Sequence, residues 1–439
     1  MADFRRIAKL ALPALGVLSA EPLYLLFDTA VVGRLGAVPL AGLAVGSLVL
    51  GMVGSQSTFL SYGTTARAAR HFGAEDRPAA VVEGVQATWL ALVLGTALVA
   101  VVEAFVGPLV SAIAGSGEIA DAAAPWLRIA VLGAPAILVA LAGNGWMRGV
   151  QDTMRPLRYV VAGFGSSALL CPALVYGWLG APRMGLAGSA VANLAGQCCS
   201  AVLFGAALLA ERPPLRVDLF GEGAVLRAQL LMARDLIVRT LSFQVCFVSA
   251  AAVAARFGAA ALAAHQIVLQ LWNFLALVLD SLAIAAQSLV GAALGAGDVR
   301  DARLVARRTT AFSLLASVAL ALPFAVGAGV LPKLFTHDRS VLAAIGVPWW
   351  FLVALLPLAG IVFALDGVLL GAGDAAYLRT ATAVAALVGF LPLVWLSLAR
   401  GWGLAGIWSG LSTFIVIRLI FDAGRALSGR WAVPGRASP

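Results

Sequence analysis

The stretch IAKLALPALGVLSAEPLYLLFDTAVVG, residues 7–33, holds Lys9, Glu21 and Asp28 as its only charged side chains. A helix rises about 1.5 Å per residue, so this run exceeds the roughly 20 residues needed to cross a hydrocarbon core. In lipid a segment must satisfy its own backbone, which only a helix or a closed barrel achieves. The alternation of a barrel strand is absent, which leaves a membrane-spanning helix. Arg5, Arg6 and Lys9 precede the apolar run as they would in a secretory leader. Its length, the presence of Asp28 within it and its lack of a small-residue cleavage site argue instead for a retained first span.

Outward from this helix the pattern repeats. Further apolar blocks occupy 39–66, 79–108, 119–148, 155–180, 185–211, 226–256, 261–292, 301–331, 340–370, 377–399 and 403–428. The whole chain of 439 residues is 62% hydrophobic and 12% charged, with net charge +9. That is too little charge to cover a soluble protein of this size. The fold expected is all-α, with twelve transmembrane helices and the lipid bilayer as solvent. An even number of spans puts both termini on one side. Alternate loops, their helix ends and the termini collect 22 basic residues, Arg67, Arg148, Arg308 and Arg418 among them, against six on the other side. By the positive-inside rule both termini are cytoplasmic, in the cell membrane. This distribution also explains the positive charge without nucleic acid as a partner. Cys171, Cys198, Cys199 and Cys246 all lie in apolar blocks and read as small packing residues.

Displacing the sequence by 222 residues aligns one half with the other. Arg34, Gly36, Leu40 and Ala41 fall on Arg256, Gly258, Leu262 and Ala263. Gly73, Ala74 and Asp76 fall on Gly295, Ala296 and Asp298, and Pro135, Gly145, Gly149 and Asp152 fall on Pro357, Gly367, Gly371 and Asp374. Each half has six spans, so the repeats are parallel, and in secondary transporters such repeats face a central cleft. The expected organisation is an N-terminal six-helix lobe over 1–211, a linker over 212–225 and a C-terminal six-helix lobe over 226–439.

The residues also resemble a known family. Pro22-Leu-Tyr-Leu-Leu-Phe-Asp-Thr-Ala-Val-Val-Gly-Arg-Leu-Gly36 is similar to the first helix of the MATE (multidrug and toxic compound extrusion) transporters, most closely the DinF branch. Ala263-Ala-His-Gln-Ile267, Ala285-Ala-Gln-Ser-Leu-Val-Gly291, Asp366-Gly-Val-Leu-Leu-Gly-Ala-Gly-Asp374 and Arg148-Gly-Val-Gln-Asp-Thr153 resemble its other motifs. The resemblance covers nearly the whole chain. It implies two six-helix bundles and export of small amphipathic, often cationic, organic molecules against a proton or sodium gradient. It also assigns cation coupling to the acid at the position of Asp28.

The residues themselves point the same way. An ionisable side chain inside a span is costly and usually serves a function, and leaving water favours the neutral acid. Asp28 is therefore the proton or cation site, and its charge would attract a cationic substrate in competition with the proton. Sodium-binding relatives carry an Asn and, four residues later, an Asp before Pro in the fifth helix. Here that stretch is Ser167-Ala-Leu-Leu-Cys171-Pro172, so two oxygen-rich ligands are gone. Hard cations need several oxygens, and proton coupling is preferred while sodium stays possible. Candidate cleft residues are Glu21, Tyr24, Phe27, Gln56, Asn193, Gln244 and Asp280; aromatic faces suit flat cations. Pro22 and Asp366 are gating candidates. Pro22 would let the first helix bend when Asp28 changes charge, and Asp366 would hold a capping or gating hydrogen bond. His265 lacks companions for a metal site and reads as a hydrogen-bonding helix-end residue, so no metal and no cofactor are expected.

Other functions fare worse. Gly115-Ser-Gly117 and Gly295-Ala-Gly297 follow no strand and no Walker lysine is present, so neither cradles phosphate. An intramembrane enzyme would need a nucleophile and base together. A non-transporting scaffold gives no reason for Asp28. The main alternative is a lipid or lipid-linked precursor flippase, but only Arg128 and Arg239 lie at membrane depth to meet a phosphate headgroup. A monomer without an obligatory protein partner is expected.

Overall fold

The computed structural model describes residues 2–115, 117–211 and 223–435. The first half contains α1 (Ala2–Gly33), α2 (Ala37–Gly73), α3 (Arg77–Ala114), α4 (Glu118–Val131 with Ala134–Gly149), α5 (Met154–Tyr176) and α6 (Leu186–Ala210). The second contains α7 (Gly223–Arg256), α8 (Ala259–Gly295), α9 (Val299–Val326), α10 (Arg339–Gly371), α11 (Ala375–Arg400) and α12 (Gly403–Ser428). Eleven of these are long and apolar enough to cross a membrane, and α4 is a pair of helices bent by 48° that makes the twelfth. The span expected over 119–148 is bent because Pro135 stands in the first turn of its second segment, where a missing N–H and a bulky ring interrupt the helical ladder. Most of the linker expected over 212–225 lies outside the described residues.

The chain divides into two compact units, Pro13–Gln229 and Met1–Leu12 with Leu230–Ser438. The first twelve residues therefore group with the second half, a departure from a lobe beginning at residue 1. The cause is an apolar stripe on the first turns of α1. Ile7, Leu10 and Ala11 bury themselves against Leu282, Ala285 and Leu289, and the Phe4 ring meets Phe312 at 5.5 Å. Helix α1 runs unbroken through Pro13 and Pro22.

The 222-residue repeat is visible in backbone detail. Four helix ends close in the same way, with the N–H of Asp76, Asp152, Asp298 and Asp374 donating to the carbonyl five residues earlier, at 2.9–3.0 Å. The preceding residue is left-handed each time: Glu75 and Gln151 in the first half, Gly297 and Gly373 in the second. This six-to-one bond satisfies a helix-terminal carbonyl. Asp76 and Asp298 then cap the next helix, accepting from the N–H of Ala79 and Asp301 at 3.1 and 2.9 Å. Close helix crossings repeat as well. A methyl group on Gly145 would strike the Ser61 carbonyl, and one on Gly367 would strike the Ala283 carbonyl. Those two pairs are 222 residues apart.

In the first half, α5 packs along α6, and α2 packs on α4. Val31 of α1 joins Cys171 and Val175 of α5 and Ala192 of α6 in a small apolar cluster. That cluster seats the last turns of α1 and places the residue three positions before Val31.

Candidate functional site

Between residues 20 and 33, helix α1 turns one narrow face inward. Tyr24, Asp28, Val31 and Val32 are buried, while Leu23, Leu25, Leu26 and Phe27 are exposed. Spacings of four and three residues put the buried set on one stripe. Asp28 has 0% exposure and sits in the seam with α5 and α6. The Ser189 hydroxyl of α6 donates to Asp28 Oδ2 at 2.8 Å. The Cys171 thiol of α5 donates to Oδ1 at 3.2 Å. Behind Ser189, the Trp126 indole N–H of α4 donates to the serine oxygen at 3.3 Å. The Tyr176 hydroxyl donates to the Val31 carbonyl at 2.6 Å, tying α5 to the backbone one turn along α1.

The other side of the carboxyl group is furnished differently. The Tyr24 ring lies 5.4 Å from Phe164. Its hydroxyl faces Ser167, Asn193, Cys171 and Asp28 without closing a hydrogen bond among the described residues, and Asn193 Oδ1 is likewise unpartnered. Ser167 spends its proton on the Ala192 carbonyl at 3.0 Å. The arrangement offers two donors to an ionised Asp28, with the unused oxygens of Tyr24 and Asn193 in the same cluster. It is chemically equipped to hold Asp28 in either state.

The structure thus gathers Asp28, Tyr24 and Asn193 of the sequence candidates into one cluster. Glu21 is exposed two turns before Asp28 on a similar face of α1, and Pro22 and Phe27 are exposed on other faces. Gln56 is half-buried at the break in α2. Gln244 and Asp280, both half-buried, belong to the second half. Asp366 also lies there, 4% exposed, and its Oδ2 accepts from Arg239 Nη2 at 2.7 Å and from Arg418 Nη2. It is held by two guanidinium groups. The position 222 residues after Asp28 is Ala250, buried in the apolar core, so the second half has no copy of the Asp28 site.

Several readings need correction. Cys171 is a hydrogen-bond donor to Asp28 as well as a packing residue, because it faces the carboxylate directly across the α1–α5 seam. His265, near the start of α8, is buried edge-on to Trp408 at 6.0 Å, and neither ring nitrogen makes the expected hydrogen bond among the described residues. Arg418, assigned above to the basic flank, is 1% exposed inside the second half. Ser189 was missed. Its signal is a stripe of small and polar residues at helical spacing, Ser189, Asn193, Gly196 and Ser200, on one face of α6. No group of three metal-ligating side chains occurs among the described residues.

A family model described as MatE matches residues 13–173 and 236–395, one stretch in each half. Protein DETOXIFICATION 44, chloroplastic, of Arabidopsis thaliana is 32% identical over 99% of this chain and 82% of its own length. DNA damage-inducible protein F of Escherichia coli (strain K12) is 30% identical over 96% of this chain and 90% of its own. A crystal structure of a MATE protein in the bent conformation superposes with a TM-score of 0.89, covering 98% of this chain and 95% of that one. Its sequence identity is 22%, so that likeness speaks for the fold alone.

Proposed function

The chain belongs to the MatE family of secondary transporters, which are exporters and not enzymes, and on that premise we propose that it exports amphipathic organic cations in exchange for protons carried by Asp28. The observation that carries this reading is a carboxyl group with no exposed surface, met by two donors, with unpartnered oxygens of Tyr24 and Asn193 in the same cluster. Sodium would find one carboxylate, a few neutral oxygens and a sulfur in the position of a ligand. Hard cations need more oxygen than that.

Coupling runs through the seat of α1. Along its outer half this helix is attached by one stripe of buried residues, by the two hydrogen bonds to Asp28 and by the Tyr176 bond. When Asp28 is ionised, Ser189 and Cys171 hold it as charge-assisted donors. When it takes up a proton, both bonds weaken to those of a neutral acid and the hold of α5 and α6 on α1 relaxes. A carboxyl group so enclosed touches no drug-sized molecule in this conformation, so the substrate is met elsewhere, and the exposed Glu21 and Phe27 of α1 are suited to charge and ring contact with a cation. The basic helix ends set both termini on the cytoplasmic side. The two arginines at membrane depth are already engaged, since Arg239 pairs with Asp366 and Arg128 lies 3.9 Å from Glu103; this disfavours a lipid flippase.

The test uses proteoliposomes and a fluorescent organic cation, with wild type and Asp28→Asn. Uptake should follow an imposed pH gradient in wild type, ignore a sodium gradient, and fail in the variant. Sodium-driven transport, or equal pH-driven transport by both proteins, would overturn the proposal.

A further inference from the structure

The second half lacks a counterpart of Asp28, yet it encloses a charge cluster that the mechanism above leaves idle. Arg239 of α7 and Arg418 of α12 both donate to the same oxygen of Asp366 on α10. Aromatic rings wall the guanidinium groups in. Arg418 lies 5.1 Å from the Phe243 ring and 5.7 Å from Phe414, and Arg239 lies 5.4 Å from Phe243. One turn beyond Arg418 stands Asp422, with 0% exposure. Neither of its oxygens accepts a hydrogen bond among the described residues.

An ionised carboxylate with both oxygens buried and undonated is among the most costly groups a protein can hold. The groups facing Asp422 do not relieve it. Asp366 from α10 is the neighbour with which it shares hydrogen-bonding range, and Arg239 from α7 and Arg418 from its own helix are within electrostatic reach. Each donates through its Nη2 to Asp366, and neither donates to Asp422. Tyr377 from α11 faces it as well, but that hydroxyl donates to the Phe421 carbonyl at 2.8 Å. Two carboxyl groups side by side do not both ionise readily. A proton resolves the conflict, turning Asp422 from an acceptor without donors into a donor to Asp366. A metal cation does not fit, because the two arginines repel it.

We propose that Asp422 is a second proton-carrying residue of this transporter, paired with Asp366 and set against Arg418. When its O–H bond breaks, the proton passes to water and the new carboxylate competes with Asp366 for Arg418, which lies four residues away on the same helix face. Moving that guanidinium from Asp366 to Asp422 exchanges a bond between α10 and α12 for one within α12. Proton loss thus loosens the contact of these two helices, independently of what Asp28 does in the other half.

The test is the infrared carbonyl stretch of protonated carboxylic acid in the purified full-length protein, comparing wild type, Asp422→Asn and Asp28→Asn near neutral pH. The amide variant matches the protonated acid in shape and charge and should fold. The expected result is a protonated-acid band that disappears in D422N and persists in D28N. A D422N spectrum that superposes on wild type would overturn the proposal. Should D422N fold poorly, Asp422→Glu keeps the acid and should displace the same band in frequency; an unmoved band would refute the assignment. In proteoliposomes D422N should lower the number of protons moved per substrate, and an unchanged ratio would count against it. Loss of coupling in D28N alone, with the Asp422 band intact, marks failure or success of the Asp28 reading separately.

Discussion

Replacing Ser189 by alanine separates the two protonation states of Asp28 most cleanly. The serine is fully buried and its hydroxyl is one of two donors to the carboxylate, at 2.8 Å. A hydrogen bond to a charged group is worth about 1.5–3 kcal/mol, and a protonated Asp28 draws far less from it. Deleting the hydroxyl therefore penalises the ionised state selectively. At about 1.4 kcal/mol per pH unit, the midpoint of the pH dependence of transport should move upward by roughly one to two units. A second, pH-independent effect comes from Trp126, whose indole N–H loses its acceptor; that should lower stability by about 1 kcal/mol. Ser189→Cys, keeping a weaker donor, should fall between. The assay is the initial rate of fluorescent-cation uptake across a series of external pH values, with melting temperature in detergent as the folding control. A variant that melts within a few degrees of wild type yet keeps the same midpoint, or shifts it downward, would refute the coupling of Ser189 to Asp28.

Further expectations concern the frame. Gly367→Ala and Gly145→Ala each drive a methyl group into a facing carbonyl, and overpacking of this kind costs about 1–3 kcal/mol; both should lower the melting temperature, and a neutral effect at either would show that the crossing is looser than described. Pro22→Ala supplies the N–H that α1 lacks at that turn and should slow transport while leaving its pH midpoint in place; full-rate transport at every pH would remove the bend of α1 from the cycle. Asp338, at the N-terminus of α10, is held below the usual carboxylate range by the Ser340 hydroxyl first and by the N–H groups of Ser340 and Val341. Its cap is therefore present at neutral pH and lost as the pH falls through that lowered value. Asp338→Ala should melt below wild type at neutral pH, with the gap closing in strong acid; a gap that stays constant with pH would deny the cap.

How much of this was legible beforehand follows from what each feature depends on. The spans were, because length and apolarity alone decide whether a helix can cross a bilayer. So was the duplication, since Asp76, Asp152, Asp298 and Asp374 recur at fixed spacing and close the same four helix ends. Asp28 stood out as a carboxylate within an apolar run. Its partners did not, because Cys171 and Ser189 lie 143 and 161 residues away and are small enough to read as packing. The bend in α4 was hidden in a run whose apolar character continues across Pro135. Arg418 and Asp422 were hidden for the opposite reason: charges near the end of a span read as a solvated flank, and only the packing of α7, α10, α11 and α12 shows them enclosed. The first turns of α1 show the same limit, since an apolar stripe says that a surface is covered but not by which half.

The most direct measurement is proton release on substrate binding, read with a pH-sensitive dye in weakly buffered detergent solution, without any membrane gradient. Adding an organic cation to wild type should acidify the medium, and Asp28→Asn, though still able to bind, should release markedly less. Binding that leaves the pH untouched in wild type, or an identical release from both proteins, would contradict exchange at Asp28.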